Sequence, residues 1–348
     1  MCETYIIGDK FAFSGRVDFS DSIHPTLIWG GSTVSFRFKG KSLSVKLENI
    51  RYGLGRFLGV VVDGEEKSIE LVDGVQTVSL FSELRNRYHD VCIYKKTDGH
   101  YIKLLSLVMP QGGNLAEPAP APQKRIEFYG DSVTAGSAVD LDDFEGKQDP
   151  PEAYSGVYDN SWHSYAAITS RMLPAQINNT SQGGIAIFDG TGYFELPNTI
   201  GVESCYDKLR YSSSFETSKW DFSRFVPHVI VFAVGNNDDH PDSGCIMRPE
   251  YREKWISKYI EIINDVRSHA PKAAVVLALT ILMHNPAWDD AMEEIKNRLG
   301  GSDSRVYHYV YKRCGKGTPG HPRNKEQQEM ASELTEFLNS LPEDVWQD

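Results

Sequence analysis

The chain has 348 residues, a hydrophobic fraction of 40% and a formal net charge of −12 at pH 7. This length exceeds what one compact core usually holds, so two domains are expected. The acidic balance, without any long lysine or arginine run, excludes nucleic acid and anionic membrane surfaces as expected partners, and no apolar run is long enough to span a bilayer.

Five cysteines are scattered along the chain, with no C-x-x-C spacing: Cys2, Cys92, Cys205, Cys245 and Cys314. An odd number at irregular spacing favours reduced thiols over a disulfide framework or a zinc site. The first residues lack the basic and apolar parts of a signal peptide. We therefore expect a cytoplasmic protein, or a secreted one if a leader segment had been removed.

The first third of the chain shows short segments in which apolar and polar residues alternate, separated by glycine-containing turns. This period-two pattern predicts antiparallel strands of a β-sandwich, which we interpret as a jelly-roll domain over residues 1–116. The predicted strands are 34–38, 43–47, 60–62, 69–71, 91–94 and 102–104.

Alternating prolines in the segment 117–123 predict an extended linker. Beyond it, over residues 124–348, apolar strand-length runs alternate with helical patterns, which indicates a three-layer α/β domain with a parallel sheet and ligands at the carboxyl ends of its strands. The predicted strands are 126–129, 229–234, 273–279 and 306–310, and the predicted helices are 161–172, 251–269, 289–299 and 325–338.

The first of these strands runs directly into Gly130-Asp131-Ser132. A tight turn from strand to helix is a position suited to a nucleophile, because Gly130 permits unusual backbone angles and Asp131 can accept hydrogen bonds from nearby N–H groups. The following helix would direct its positive end toward a developing oxyanion. A capped helix start without catalytic function is the alternative interpretation.

Three further polar segments follow in the chain. Each could also be an ordinary turn or a surface loop. They are the glycine loop 178–185 with Gly183 and Gly184, the Gly235-Asn236-Asn237-Asp238 segment after an apolar strand, and Gly320-His321-Pro322 before the last helix.

In this order the four segments resemble the conserved blocks of the SGNH (GDSL) hydrolase superfamily. The resemblance implies that Ser132 is the nucleophile and His321 the base. It also implies oxyanion donors from the Ser132 N–H, from Gly183 or Gly184, and from the Asn237 side chain. A serine hydroxyl needs such a base, and a tetrahedral intermediate needs such donors.

One position departs from this family pattern. Most SGNH enzymes have an aspartate three residues before the catalytic histidine, but Thr318 stands there in this chain. We therefore expect a Ser-His dyad, in which the second ring nitrogen of His321 is held by a backbone carbonyl or by a carboxylate remote in sequence.

Over its whole length the chain resembles the acetyl esterases of carbohydrate esterase family 2. The outer matches are the segments 30–40, 61–64 and 220–223. The resemblance implies removal of O-acetyl groups from xylan or mannan through an acyl-enzyme, with an acetylated oligosaccharide as partner and with no metal or organic cofactor. Asp131, Tyr193 and Trp220 are candidate substrate contacts. The oligomeric state is left open.

Three alternatives stay open at this point. The chain could be an SGNH lipase, thioesterase or arylesterase with another acyl specificity. It could be a glycan-binding protein whose second domain has lost activity. A metallohydrolase is the third alternative, although no HExxH or comparable ligand spacing occurs.

Overall fold

The computed structural model describes residues 2–348. The chain divides into two compact units, one ending at Ala121 and the other beginning at Pro122. This division falls inside the segment that the proline pattern predicts as a linker. Each unit is described by itself below.

Two antiparallel sheets form the N-terminal unit. One sheet has the order β3-β4-β11-β6-β9, with β1 paired to β11, and the other has the order β12-β5-β10-β7-β8, with β2 paired to β5. The strands are β1 (Cys2–Thr4), β2 (Ala12–Ser14), β3 (Val17–Asp18), β4 (Thr26–Leu27), β5 (Thr33–Gly40), β6 (Leu43–Arg51), β7 (Phe57–Val62), β8 (Glu65–Glu70), β9 (Gly74–Phe81), β10 (Arg87–Lys95), β11 (His100–Met109) and β12 (Asn114–Ala116).

Alternation along these strands produces one apolar core. In β6, for example, Val45 and Leu47 are fully buried, whereas Lys46 and Glu48 on the other face are partly exposed. Buried residues of both sheets, such as Phe36 and Leu104, belong to the same apolar cluster. The sandwich prediction is thereby confirmed, whereas the jelly-roll interpretation stays a prediction.

The C-terminal unit is built on a five-stranded parallel sheet of order β14-β13-β17-β18-β19. Its strands are β13 (Lys124–Gly130), β14 (Ala175–Ser181), β17 (Val229–Ala233), β18 (Ala274–Leu277) and β19 (Val306–His308), and a small hairpin holds β15 (Lys208–Arg210) and β16 (Ser218–Lys219). The helices are α1 (Ser132–Ala135), α2 (Tyr165–Met172), α3 (Val202–Cys205), α4 (Pro249–Ser268), α5 (Ala287–Arg298) and α6 (Asn324–Asn339).

Successive residues of the buried strands point to opposite faces of this sheet, and helices cover both faces. Phe128 packs edge-to-face on Tyr165 of α2. The next residue, Tyr129, stacks on Phe232, which in turn contacts Tyr259 of α4. The predicted three-layer α/β fold is confirmed, and the sheet brings the carboxyl ends of β13, β14 and β17 side by side.

The predicted element boundaries need three corrections. The helix predicted at 161–172 begins as a 3-10 turn at Ser161–His163, and α2 starts only after Ser164 caps its N-terminus by accepting from Ala167 N–H. The segment predicted as a loop from residue 178 is the end of strand β14 as far as Ser181. The alternation analysis also missed the short strands β1 to β4 and β12, and the longer strand β9, which pairs with β6.

Candidate active site

Ser132 lies at the first position of α1, directly beyond the carboxyl end of β13. Asp131 caps this helix, since its Oδ1 accepts from Val133 N–H at 3.0 Å. Gly130 is needed for space as well as for backbone freedom, because a Cβ at this position would lie 2.2 Å from Thr134 Oγ1. The helix has only four residues, so its dipole adds little to the site.

The structure brings His321 to this serine. His321 Nε2 lies 2.9 Å from Ser132 Oγ, a normal hydrogen-bond distance, and the serine is 7% exposed. The two residues are 189 positions apart in the chain. The loop before α6 crosses the carboxyl edge of the sheet, and this crossing produces the contact.

A carboxylate remote in sequence, one of the two expected partners of the second ring nitrogen, completes the arrangement and corrects the expected dyad to a triad. Asp149 Oδ2 lies 2.6 Å from His321 Nδ1, and Asp149 Oδ1 accepts from the His321 backbone N–H at 3.0 Å. Thr318, which stands three residues before His321, is fully buried, and its backbone carbonyl accepts from Met283 N–H. The geometry is that of a Ser-His-Asp triad whose acid is remote in sequence.

Arg323 holds this carboxylate from its other side. Its fully buried guanidinium donates to Asp149 Oδ1 at 2.5 Å and to the Ala138 carbonyl at 2.8 Å. Burial alone would raise the pKa of Asp149, but the hydrogen bond and charge of His321 and the bond from Arg323 outweigh it and lower the pKa to about 2. Asp149 therefore stays ionised and can stabilise an imidazolium at His321.

Gly320 makes this approach possible. A Cβ at this position would lie 2.6 Å from Asp149 Oδ1 and 2.6 Å from the Lys147 carbonyl oxygen. Any side chain would push the loop that carries Asp149 away from His321. In the sequence, a glycine directly before the histidine indicates that another segment approaches closely at this point. It does not indicate that this segment carries Asp149.

The predicted oxyanion positions follow the neighbouring strands. In the sheet register Gly130 pairs with Ser181 and with Ala233, so Ser132, Gly183 and the Asn237 segment all emerge at the same sheet edge. The Asn237 side-chain amide donates to the Ile185 carbonyl at 2.9 Å. An amide NH₂ has two hydrogens, so this bond fixes the side chain and leaves a second donor for a ligand.

Asp238 holds the same glycine loop at a second point. Its Oδ1 accepts from the Ile187 backbone N–H at 2.9 Å and from Trp255 Nε1–H at 2.8 Å. The side chain is 1% exposed, and its Oδ2 has no hydrogen-bond partner within residues 2–348. Burial raises the pKa of Asp238 to about 7, and the nearby carboxylates Asp131 and Asp239 add to the effect.

Two of the three side chains predicted to contact substrate are buried, which corrects that prediction. Asp131 is fully buried, and its second oxygen accepts from the Asn236 side chain at 2.7 Å, so it braces the turn and does not face a ligand. Trp220 is 6% exposed, and the Arg224 guanidinium covers its ring at 4.7 Å. Both residues therefore have a structural role within the domain.

Tyr193 has the exposure that a sugar contact needs. It is 51% exposed, it stacks on His240 with ring centroids 4.1 Å apart, and its N–H donates to the carbonyl of Gly184. Tyr154, which sequence reasoning missed because no motif marks it, is 64% exposed. Partial burial raises the pKa of Tyr154, as do the nearby Asp149 and Tyr193, so the hydroxyl lies within electrostatic range of the triad.

A separate depression lies at the opposite end of the sheet. It is formed around Arg125, His228 and Ala273, near the starts of β13, β17 and β18. It contains none of the predicted site residues. In open α/β sheets ligands bind at the carboxyl ends of the strands, where the triad lies.

Comparison with known proteins identifies the family of the chain. Residues 13–122 match the family model described as carbohydrate esterase 2 N-terminal, and residues 128–301 match the GDSL-like lipase/acylhydrolase family. The chain is 29% identical to the cellulase/esterase CelE of Acetivibrio thermocellus over 94% of its own length, but it spans only 39% of that protein. It is 24% identical to an acetylxylan esterase/glucomannan deacetylase of Cellvibrio japonicus, with 94% of this chain and 87% of the relative covered.

Solved structures give the same result at the level of the fold. A family two carbohydrate esterase from Clostridium thermocellum, determined in complex with cellohexaose, superposes with a TM-score of 0.79 at 26% identity, covering 94% of this chain and 98% of that one. The family two esterase from Cellvibrio japonicus superposes with a TM-score of 0.80 at 21% identity, covering 99% and 98%.

Proposed function

Because the chain belongs to the GDSL-like hydrolases and to carbohydrate esterase family 2 within them, we propose that it is a serine esterase that removes O-acetyl groups from plant-type oligo- or polysaccharides. One observation carries the proposal, namely the 2.9 Å contact between Ser132 Oγ and His321 Nε2 with Asp149 behind the imidazole. The activities named for the relatives support a sugar ester as the substrate class.

In the proposed reaction Ser132 Oγ attacks the acetyl carbonyl while His321 Nε2 takes the hydroxyl proton. Asp149 accepts the Nδ1–H of the same ring, which fixes the tautomer and stabilises the imidazolium that forms. His321 then gives its proton to the departing sugar oxygen. Water, deprotonated by the same imidazole, hydrolyses the acetyl-serine and restores the free hydroxyl.

The tetrahedral intermediate places negative charge on the former carbonyl oxygen. We assign its stabilisation to the Ser132 N–H, to a backbone N–H at Gly183 or Gly184, and to the second hydrogen of the Asn237 amide. The bonds of Asn237 and Asp238 to the 185–187 segment support this assignment, because they hold the glycine loop before substrate arrives. Hydrogen-bond donors that are already in position need no reorganisation of the loop during the reaction.

Tyr193 and Tyr154 are the proposed sugar contacts, since both rings are exposed beside the triad. An aromatic face can stack on the apolar face of a pyranose. Xylan and mannan are both retained as substrates, as the name of one relative mentions xylan and glucomannan together. The cytoplasmic location stays a prediction. Within residues 2–348 no helix is both long and apolar enough to cross a membrane.

The decisive test combines one variant with a substrate series. Ser132→Ala should abolish release of acetate from p-nitrophenyl acetate and from acetylated manno- and xylo-oligosaccharides followed by NMR. Ser332→Ala, an exposed serine of α6, is the matched control and should keep full activity. Unchanged hydrolysis by Ser132→Ala would overturn the nucleophile assignment, and preference for the octanoate ester over the acetate would overturn the acetyl specificity.

A further inference from the structure

Three side chains of metal-binding types converge where the loops after β18 and β19 meet, outside the serine site. Asp289, in the first turn of α5, lies between the other two. Its Oδ2 is 3.0 Å from His284 Nε2, and its Oδ1 is 3.4 Å from Cys314 Sγ. One ligand atom from each residue lies within 4.8 Å of the others. The proposed ester chemistry uses none of the three.

Backbone contacts fix the orientation of the imidazole. His284 Nδ1 lies 2.8 Å from the Leu282 carbonyl oxygen and donates to it, because a carbonyl oxygen can only accept. This bond turns the other ring nitrogen, Nε2, toward Asp289 Oδ2 at 3.0 Å, where a metal ion could bind both atoms. A backbone carbonyl on the second ring nitrogen is also a common arrangement around metal-binding histidines.

Gly315 leaves room beside this nitrogen. A Cβ at Gly315 would lie 3.0 Å from His284 Nε2, and the residue has a φ of +63°, which favours glycine. The His284 N–H donates to the Gly315 carbonyl at 3.3 Å, so the two loops are already joined at this point. A side chain at this position would therefore crowd the edge of the imidazole.

The distances and charges suit zinc. With zinc distances of about 2.0 to 2.3 Å to nitrogen, oxygen and sulfur, tetrahedral ligands lie roughly 3.4 to 3.6 Å apart. The two Asp289 oxygens lie 3.0 Å from the nitrogen and 3.4 Å from the sulfur, and one ligand atom from each residue lies within 4.8 Å of the others, so small side-chain rotations would bring the three ligands to these separations. A carboxylate, a thiolate and a neutral imidazole together balance a divalent ion, so a half-buried site gains no net charge. The thiolate favours zinc over magnesium or calcium.

We propose that His284, Asp289 and Cys314 bind one zinc ion, with a water molecule as the fourth ligand. The ion replaces the thiol proton and any proton on Nε2. It ties the loop after β18 to the loop after β19, which already meet through the bond from Met283 N–H to the Thr318 carbonyl at 2.9 Å. Because Thr318 precedes His321 by three residues, the proposed ion is a structural brace for the histidine loop.

The test uses the full chain, stripped of metal with EDTA and then titrated with Co²⁺ as a spectroscopic substitute for zinc. We expect one cobalt per chain and a thiolate-to-cobalt charge-transfer absorption, which Cys314→Ser should abolish. Asp289→Asn and His284→Gln should weaken zinc binding by about tenfold or more, as measured by competition with a chromophoric chelator. Circular dichroism of each variant checks that it is folded.

The matched control is Cys92→Ser, because Cys92 is also a half-buried cysteine outside any disulfide but lies in the sandwich unit. It should keep the cobalt absorption. In the unaltered chain, zinc at about 100 times its dissociation constant should also raise the thermal midpoint by roughly 5 °C. A chain that gives no cobalt–thiolate absorption, or an absorption that survives Cys314→Ser, overturns the site. Neither outcome depends on esterase activity.

Discussion

At the scale of single residues, Asp149 holds the catalytic histidine in the proposed chemistry. Its two oxygens accept from both the ring and the backbone of His321, and Arg323 binds it from behind. A carboxylate held in this way serves the histidine as well as one three residues away in sequence would. The position of the acid along the chain is therefore free, provided that the fold returns it to the imidazole.

Replacement of this carboxylate should cost most of the activity. Asp149→Asn keeps the size of the side chain but removes the charge that stabilises the imidazolium, so kcat should fall by about a thousandfold or more. Steady-state kinetics with p-nitrophenyl acetate measures the loss. Asp143→Asn, an exposed acid in the same loop region, is the control and should change little. Retention of more than half of the activity by Asp149→Asn would exclude the triad.

Asp238 gives a second prediction at this scale, which concerns stability. Its folded pKa of about 7 lies above the usual value of an unfolded aspartate, so the native state binds the proton more tightly. Its contribution to stability is therefore complete at low pH and is lost as the pH rises from about 4 through 7.

Asp238→Asn should remove this pH dependence, because an amide oxygen can still accept from Ile187 and Trp255 but does not ionise. Relative to the unaltered chain, the variant should gain about 2 kcal/mol in unfolding free energy between pH 5 and pH 8. Urea unfolding at the two pH values measures the difference. Parallel pH profiles for the two proteins would contradict the raised pKa.

At the scale of elements, the site depends on loops that meet at one edge of a parallel sheet. The loop with Asp149 and the loop with His321 touch closely enough that Gly320 has no room for a side chain. The glycine loop after β14 is held separately, through the bonds of Asn237 and Asp238. Packing between loops thus sets the distances on which the chemistry depends.

Gly320→Ala tests this contact between loops. The new Cβ would displace Asp149, so kcat should fall by about tenfold or more, with a smaller change in KM. The same substitution in an Asp149→Asn background should have little further effect, because the carboxylate through which it acts is already lost. Additive effects in this double-mutant cycle would show that Gly320 acts by another route.

At the scale of the whole molecule, the charge balance bears on the substrate. A chain with a net charge of −12 repels anionic partners, whereas an acetylated neutral sugar is not affected by that field. We therefore expect kcat/KM for neutral acetylated oligosaccharides to change less than about twofold between 50 and 500 mM NaCl. A tenfold change would indicate a charged substrate or a steering role for the surface charges.

Much of this organisation was predictable before any coordinates. Alternation with a period of two identifies six of the twelve sandwich strands that the structure describes, and the order of apolar runs and helical patterns identifies the parallel sheet. Local signals failed where tertiary context decided the outcome. Strand β14 ends in Asn178-Asn179-Thr180-Ser181, which looks like a loop, yet these residues are buried by the sheet and by α1.

For the site, the sequence alone determined which residue types stand at strand ends, and it placed Ser132, Asn237 and His321 by their motifs. Only the tertiary structure decided that Asp149 and Arg323 complete the site, that Asp131 and Trp220 are buried, and that Tyr154 lies beside Tyr193. The physical reason is that a motif reports contacts between near neighbours in the chain. A salt bridge or a close approach between distant loops depends on how the whole sheet and its connections pack.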